Sequence, residues 1–194
     1  MGEAQLVTAR ADGGRLPVMR QVQPIAPVLE RVAARFTRRD ATTGTPISVE
    51  APEGLHADVD AARIEQALGN LVDNAVRHGS APVVIAAVPS DEGLEVHVTD
   101  SGDGFPPVFV EHAFERFTRA DRGRTEHGAG LGLAIVAVVA EAHGGEAHAA
   151  NRPSGGADVW LSLPSGDRSP ERAPAVDDPA PSPAAPRSAG DPAY

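Results

Sequence analysis

Apolar residues recur along this chain with two distinct periods. Ile25, Val28, Leu29, Val32, Ala33 and Phe36 fall at i, i+3, i+4, i+7, i+8 and i+11, which is one face of a helix. The same spacing returns at Ile64, Ala67, Leu68, Leu71, Val72, Ala75 and Val76. Between and after these helices the period shortens to two. Residues 18–22 and 47–50 read as short strands, and 83–88 and 94–99 as longer ones. In the last of these Leu94, Val96 and Val98 point one way, Glu95 and His97 the other. Residues 106–127 are polar, Arg-rich and Gly-containing, which predicts a loop with a helical turn near Phe114. A third helix is expected over about 130–142, ended by Gly144 and Gly145. Strands at 146–151 and 158–163 then form a hairpin.

Composition breaks after this pattern ends. The last 31 residues hold 8 of the chain's 18 prolines. Val176 and Tyr194 are almost their only sizeable apolar side chains. Such a stretch buries too little surface to offset its chain entropy, so 165–194 is expected to be a disordered Pro/Ala-rich tail. The remainder of the 194 residues suits one domain with its own core. There are no cysteines, so neither a disulfide frame nor a thiolate zinc site is available. The seven His show no metal-ligand spacing and read as surface or local hydrogen-bonding residues. Net charge is -10 with Arg scattered rather than striped, which argues against nucleic acid as a partner. No apolar run reaches the roughly 20 residues of a membrane span, and no secretory signal is visible, so the expected location is cytoplasmic, with no direct membrane contact.

All 17 basic residues are Arg, and this absence of Lys bears on chemistry. A P-loop needs the Lys of its GK[ST] to reach phosphates, and a eukaryotic-type protein kinase needs its strand Lys. Both are excluded. What remains is a set of three separated blocks, Asn70-Leu-Val-Asp-Asn74-Ala, Asp100-Ser-Gly-Asp-Gly104 and Gly128-Ala-Gly-Leu-Gly-Leu133. On the second helix Asn70, Asn74 and Arg77 lie within about 60° of one another, beside the apolar face. Asn74 offers a neutral oxygen suited to Mg²⁺, and Arg77 a guanidinium suited to phosphate. Helix-interior Asn is unfavourable by up to about 0.7 kcal/mol, so two on one stripe call for a reason. Asp100 closes an alternating strand and opens Ser-Gly-Asp-Gly, which taken alone reads as a common Asp-Gly turn. Gly102 and Gly104 would let the backbone turn closely there. The third block opens a helix, and glycine-flanked N–H groups there form an anion site. A dinucleotide-binding fingerprint needs a strand just before it, and residues 121–127 are not one.

In their order these blocks resemble the N, G1 and G2 boxes of the GHKL ATP-binding fold, shared by gyrase, Hsp90, histidine kinases and MutL. Phe114-Glu-Arg-Phe117 resembles the F box of the sensor histidine kinase branch. The resemblance covers roughly residues 6–164. It implies a two-layer α/β sandwich of the Bergerat type, with a mixed sheet of about five strands and three helices on one face. Its domain would span 16–164, and residues 1–15 resemble the exit of a dimerisation helix. ATP and Mg are the implied cofactors, with the Asp100 carboxylate accepting from the adenine amino group and Gly102 and Gly104 turning the backbone beneath the base. The implied ATP-binding residues are Asn70, Asn74, Arg77, His78, Asp100, Gly102, Gly104, Phe114, Arg119, Gly128, Gly130, Leu131, Gly132 and Leu133, with Asn74 as the Mg²⁺ ligand. Arg119, with Arg122 and Arg124 as nearby alternatives, would face the γ-phosphate. Thr118 and Ala129 depart from the residues frequent at those places.

One position separates the chemistries the family supports. Its ATPases and anti-sigma serine kinases carry a Glu general base four residues before the Mg²⁺-binding Asn, where this chain has Asn70, which takes no proton. An imidazole acceptor needs no such base, since its neutral nitrogen is already nucleophilic. Phosphoryl transfer to His is therefore favoured over hydrolysis. The acceptor His of the family is followed by an acidic residue, whereas His56, His78, His97, His112, His127, His143 and His148 are followed by Ala, Gly, Val, Ala, Gly, Gly and Ala. The expected function is that of a histidine kinase catalytic domain, with a separate dimerisation domain and a response regulator as partners and a full-length relative anchored in the membrane. The alternatives are a non-catalytic ATP-binding regulatory module and a GHKL ATPase or anti-sigma kinase.

Overall fold

The two amphipathic helices and the alternating strands predicted above pack face to face. The computed structural model describes residues 16–39, 45–115 and 131–164. In chain order its elements are β1 (Gln21–Pro24), α1 (Ala26–Arg39), β2 (Ile47–Glu50), β3 (His56–Val59), α2 (Ala61–His78), β4 (Val83–Ser90), β5 (Gly93–Thr99), the short α3 (Pro107–Val110), α4 (Gly132–Ala142), β6 (Glu146–Asn151) and β7 (Ala157–Pro164). Five strands form one mixed sheet in the order β2-β4-β5-β7-β6, with β2 parallel to β4 and every other pair antiparallel. Strands β1 and β3 form a separate antiparallel pair.

Alternation decides which sheet face is covered. Val83, Ile85 and Ala87 of β4, Leu94, Val96 and Val98 of β5, and Val159, Leu161 and Leu163 of β7 are all buried. They meet the apolar faces of α1, α2 and α4 in one continuous core. Every helix-face residue predicted on α1 is buried, as are those on α2 except Val76, which is partly so. Helix α4 differs from these two. Ala134 to Ala140 are buried on all sides, so α4 is an interior helix rather than an amphipathic one.

Three local expectations need correction. The first strand lies at Gln21–Pro24 rather than 18–22, and it pairs with β3, a strand that the apolar pattern did not announce. The reason is that β3 reads His-Ala-Asp-Val, too little alternation to stand out, and it is a strand because β1 lies beside it. The helical turn expected near Phe114 is present, with the Glu115 N–H donating to the His112 carbonyl at 3.0 Å, but it continues a short helix, α3, that begins earlier. Helix α4 starts at Gly132, and 130 lies outside the described residues, as do the 1–15 and 165–194 segments.

On the open face of the sheet His97, Trp160 and His148 are register mates on three adjacent strands. Their rings stack with centroids 5.3 and 5.0 Å apart. His97 Nδ1 lies 3.0 Å from Asp158, which holds the His97 imidazole above its ordinary pKa despite partial burial. This is a cross-strand ladder that stabilises the sheet.

His143, just past α4, is the opposite case. Its Nδ1–H donates to the Val139 carbonyl at 2.8 Å, and its Nε2 accepts the Asp60 N–H at 3.0 Å. Only the neutral ring does both. Burial pushes its pKa below the ordinary value. Asp60 is in turn the N-cap of α2, accepting the Arg63 N–H at 3.2 Å, and it also receives the Met19 N–H at 2.9 Å. His143 thus pins the end of α4 to the start of α2. Because its folded pKa is depressed, the unfolded chain binds this proton more readily, so the stability it contributes is present above about pH 6.5 and is lost as pH falls below that. Replacing His143 by Gln is expected to cost about 2 kcal/mol at pH 7.5, by leaving buried groups unsatisfied. The gap between wild type and H143Q in denaturant unfolding should then narrow from pH 7 to 5.5. His97 has a raised pKa and pulls the other way, but it is common to both proteins and cancels in the difference. A constant gap across that range would contradict the neutral lock.

Candidate functional site

The site forms where the C-terminal end of β5 meets the exit of α2. Asp100 follows β5 directly and is only 6% exposed. Its Oδ1 accepts the Gly102 N–H at 2.8 Å and the Ala157 N–H at 3.4 Å. Its own N–H donates to the Ala157 carbonyl at 3.1 Å, and Arg152 Nη1 donates to its carbonyl at 3.0 Å. The hydrogen bonds that hold the carboxylate all use Oδ1. Oδ2 remains as an acceptor with a fixed direction, which is what recognition of an exocyclic amine requires.

Helix α2 ends against this loop. A Cβ on Gly79 would stand 2.5 Å from the Asp100 Cγ, and one on Gly102 would stand 2.9 Å from the Gly79 Cα. The Ser101 N–H donates to the Ser80 carbonyl at 2.9 Å. No side chain fits between the two segments, so the helix exit and the Asp100 loop form one wall. Gly79 was not singled out in the sequence, although a glycine directly after a helical run was its available signal. Gly104 has a local reason as well. Its φ is +74°, and a Cβ there would stand 2.5 Å from Asn151 Oδ1, so it serves the turn and its neighbour.

Further back along α2, Asn70 faces the start of α4. A Cβ on Gly132 would lie 3.8 Å from the Asn70 Cβ, so Asn70 sits beside the first turn of that helix. The Nδ2 of Asn70 is buried and has no hydrogen-bond partner among the described residues. Leaving such a donor unpaired costs about 1–3 kcal/mol, so it is a group in want of an acceptor. Asn74 lies one turn on and is half-buried. Arg77 pairs through Nε with Asp73 Oδ2 at 2.7 Å, and His78 is exposed on the last turn. Phe114, Leu131 and Leu133 are partly buried against the core on either side of the Arg-rich segment.

Asn70, Asn74, Arg77 and His78 on α2, Asp100 and Gly102 beside its exit, and Gly132 at the opening of α4 are thus gathered around the same two elements. Arg119, Gly128 and Gly130, with Arg122 and Arg124, lie outside the described residues. The arrangement fits a nucleotide with its metal. An orphaned amide donor and a neutral carboxamide oxygen stand at one end, and an anchored carboxylate stands at the other. Asn151, the last residue of β6, and Arg152 after it hold the Asp100 loop and were missed in the sequence. No His, Cys, Asp and Glu cluster able to hold a metal by itself exists among the described residues. No helix among them is long and apolar enough to cross a membrane.

Comparison with known proteins shows the family. Residues 59–167 match the family described as histidine kinase-, DNA gyrase B-, and HSP90-like ATPase. A probable sensor histidine kinase HK of Mycobacterium tuberculosis (strain CDC 1551 / Oshkosh) is 38% identical over 164 residues, 84% of this chain and 42% of its own length. The sensor histidine kinase component HK1 of Mycobacterium tuberculosis (strain ATCC 25618 / H37Rv) is 41% identical over 141 residues, 73% of this chain and 82% of its own. The chain therefore spans less than half of the first relative and most of the second. Among solved structures, the ATP binding domain of PrrB from Mycobacterium tuberculosis superposes with a TM-score of 0.62 at 32% identity, covering 76% of this chain and 98% of that one. Full-length ShkA in complex with AMPPNP gives a TM-score of 0.70 at 28% identity, over 85% of this chain and 37% of its own. On this evidence the chain belongs to the histidine kinase-, DNA gyrase B- and HSP90-like ATPase family, as an ATP-binding catalytic domain of the sensor histidine kinase kind.

Proposed function

We propose that the domain binds Mg·ATP with adenine on Asp100 and the metal on Asn74, and passes the γ-phosphoryl group to a histidine of a dimerisation domain. Asp100 Oδ2 accepts the exocyclic amine of adenine. Asn70 Nδ2 donates to a phosphate oxygen, which satisfies the orphaned group, and the first N–H groups of α4 face the same phosphates. Mg²⁺ supplies charge neutralisation on the phosphate oxygens when bound. The neutral ring nitrogen of the acceptor attacks the γ-phosphorus as the bond to the ADP oxygen breaks, and the imidazole proton leaves to solvent.

The observation that carries this reading is the side chain of Asn70. A carboxamide whose Nδ2 is buried and unpaired can donate to phosphate but takes no proton from water or from Ser, so the place of a hydrolytic base is occupied by a donor. The AMPPNP of the ShkA complex supports a nucleotide on this fold. The phosphorylated histidine would in turn supply a response regulator.

The test mixes this chain, γ-labelled ATP and a dimerisation-domain fragment from a cognate kinase. An acid-labile, alkali-stable phosphohistidine should form on the fragment, with little hydrolysis by the chain alone. Arg119→Ala should slow transfer more than it weakens ATP binding, as a contact to charge developing on the γ-phosphoryl group requires. ATP binding without transfer to any cognate acceptor would support a regulatory module instead. Brisk hydrolysis by the lone chain that survives Asn70→Ala would support an ATPase.

A further inference from the structure

The loop that carries Asp100 is gripped at both ends by one hairpin turn. Strands β6 and β7 close at the register pair Asn151 and Ala157. The turn between them is tightened by the Arg152 N–H to the Gly156 carbonyl at 2.9 Å, and Gly155 and Gly156 both have positive φ. At one end of the loop Arg152 and Ala157 bind the Asp100 backbone and carboxylate. At the other, the Asn151 side chain spans Phe105. Its Oδ1 accepts the Phe105 N–H at 2.7 Å, and its Nδ2 donates to the Phe105 carbonyl at 2.8 Å. A carboxamide making both bonds to one residue copies the pairing of a neighbouring strand. Phe105 in turn stacks on Phe109 in α3, with centroids 5.2 Å apart, where the chain leads into the Arg-rich segment.

We propose that Asn151 is a positioning residue for nucleotide recognition, holding the Asp100–Phe105 loop in the shape that aims Asp100 Oδ2 at the base. It touches no nucleotide atom itself. Among the described residues, the hydrogen bonds to the loop at its far end come from Asn151, beside the packing of the Phe105 ring. Gly104 there adopts a left-handed conformation, and the two Asn151 bonds are the side-chain contacts that fix the backbone just beyond it. Without them the loop samples other shapes, and part of the base's binding free energy is spent on ordering it. The inference rests on the adenine being received by Asp100.

Calorimetric titration of Asn151→Ala with ATP, ADP and adenosine tests it, run well below the melting temperature. All three ligands should lose affinity by about the same factor, on the order of tenfold, the size expected for two neutral hydrogen bonds. The ratio of affinities with and without Mg²⁺ should stay at the wild-type value, and preference for ATP over GTP should fall. Asn151→Asp keeps the acceptor and loses the donor, so it should fold and lie between wild type and N151A. Ser162→Ala is the control. Ser162 bonds Glu146 in the same hairpin but at its other end, so it lowers the melting temperature without touching the loop. If S162A and N151A both melt lower while N151A binds adenosine as tightly as wild type, Asn151 is merely structural and the proposal falls. If the wild type binds neither ATP nor adenosine, the failure lies with the Asp100 reading and is told apart by that alone.

Discussion

Replacing Asp100 by Asn should cost the domain about ten- to a hundredfold in affinity for ATP and ADP alike, with little change in melting temperature. The substitution preserves shape while changing one atom's chemistry. The Gly102 and Ala157 N–H groups both point at Oδ1, so the new side chain must keep its oxygen there. That orientation places the amide NH₂ where Oδ2 was, facing the base. A donor then confronts the adenine amine, and a charge-assisted bond worth about 1.5–3 kcal/mol becomes a donor–donor contact. The anchoring bonds survive, so the fold should survive with them. Discrimination between ATP and GTP should fall as well, since the carboxylate prefers an exocyclic amine to a carbonyl. Calorimetric titration against ATP, ADP and GTP reads all of this. Retained affinity in D100N would place the base elsewhere.

Replacing Asn74 by Ala should remove the gain in ATP affinity that Mg²⁺ confers and leave metal-free binding untouched. Asn74 lies one helical turn from Asn70, on the stripe beside the phosphates' proposed position, and its carboxamide oxygen is a hard, neutral ligand. It acts on the metal alone, so titration in EDTA should give wild-type affinity. In Mg²⁺ the variant should bind about tenfold or more weakly than wild type, as for loss of a contact to a charged partner. Equal losses in both conditions would mean that Asn74 contacts the nucleotide itself. An unchanged metal effect would mean that another residue holds the ion. The two variants thus test opposite ends of one ligand, and their losses should add.

The helices were legible because a 3.6-residue period permits only one packed face. Ile64, Ala67, Leu68, Leu71, Val72 and Ala75 were read from spacing and are all buried. The central strands were legible for the matching reason, since β5 and β7 alternate cleanly against the helices. Strand β3 was not. His56-Ala-Asp-Val59 carries almost no alternation, and its extended shape depends on β1 lying beside it, from Gln21 opposite Val59 to Pro24 opposite His56. The displaced limits of β1 have the same origin, because a short strand begins where its partner's backbone groups are.

The candidate site divides in the same way. Residue types and order alone announced the asparagine stripe, the carboxylate at the end of a strand and the glycines opening a helix, and thereby the family. The roles of Asn151 and Arg152 left no local trace. They lie 46 and 52 residues from Phe105 and Asp100, and only the register of β6 on β7 and of β7 on β5 brings them there. Chemical inventory, helix faces and sheet alternation are properties of neighbours along the chain, so sequence by itself determined them. Tertiary structure decided which oxygen of Asp100 stays available, why Asn70 holds an unpaired donor and what grips the recognition loop. Those depend on hydrogen-bond directions between distant segments, which no local pattern encodes.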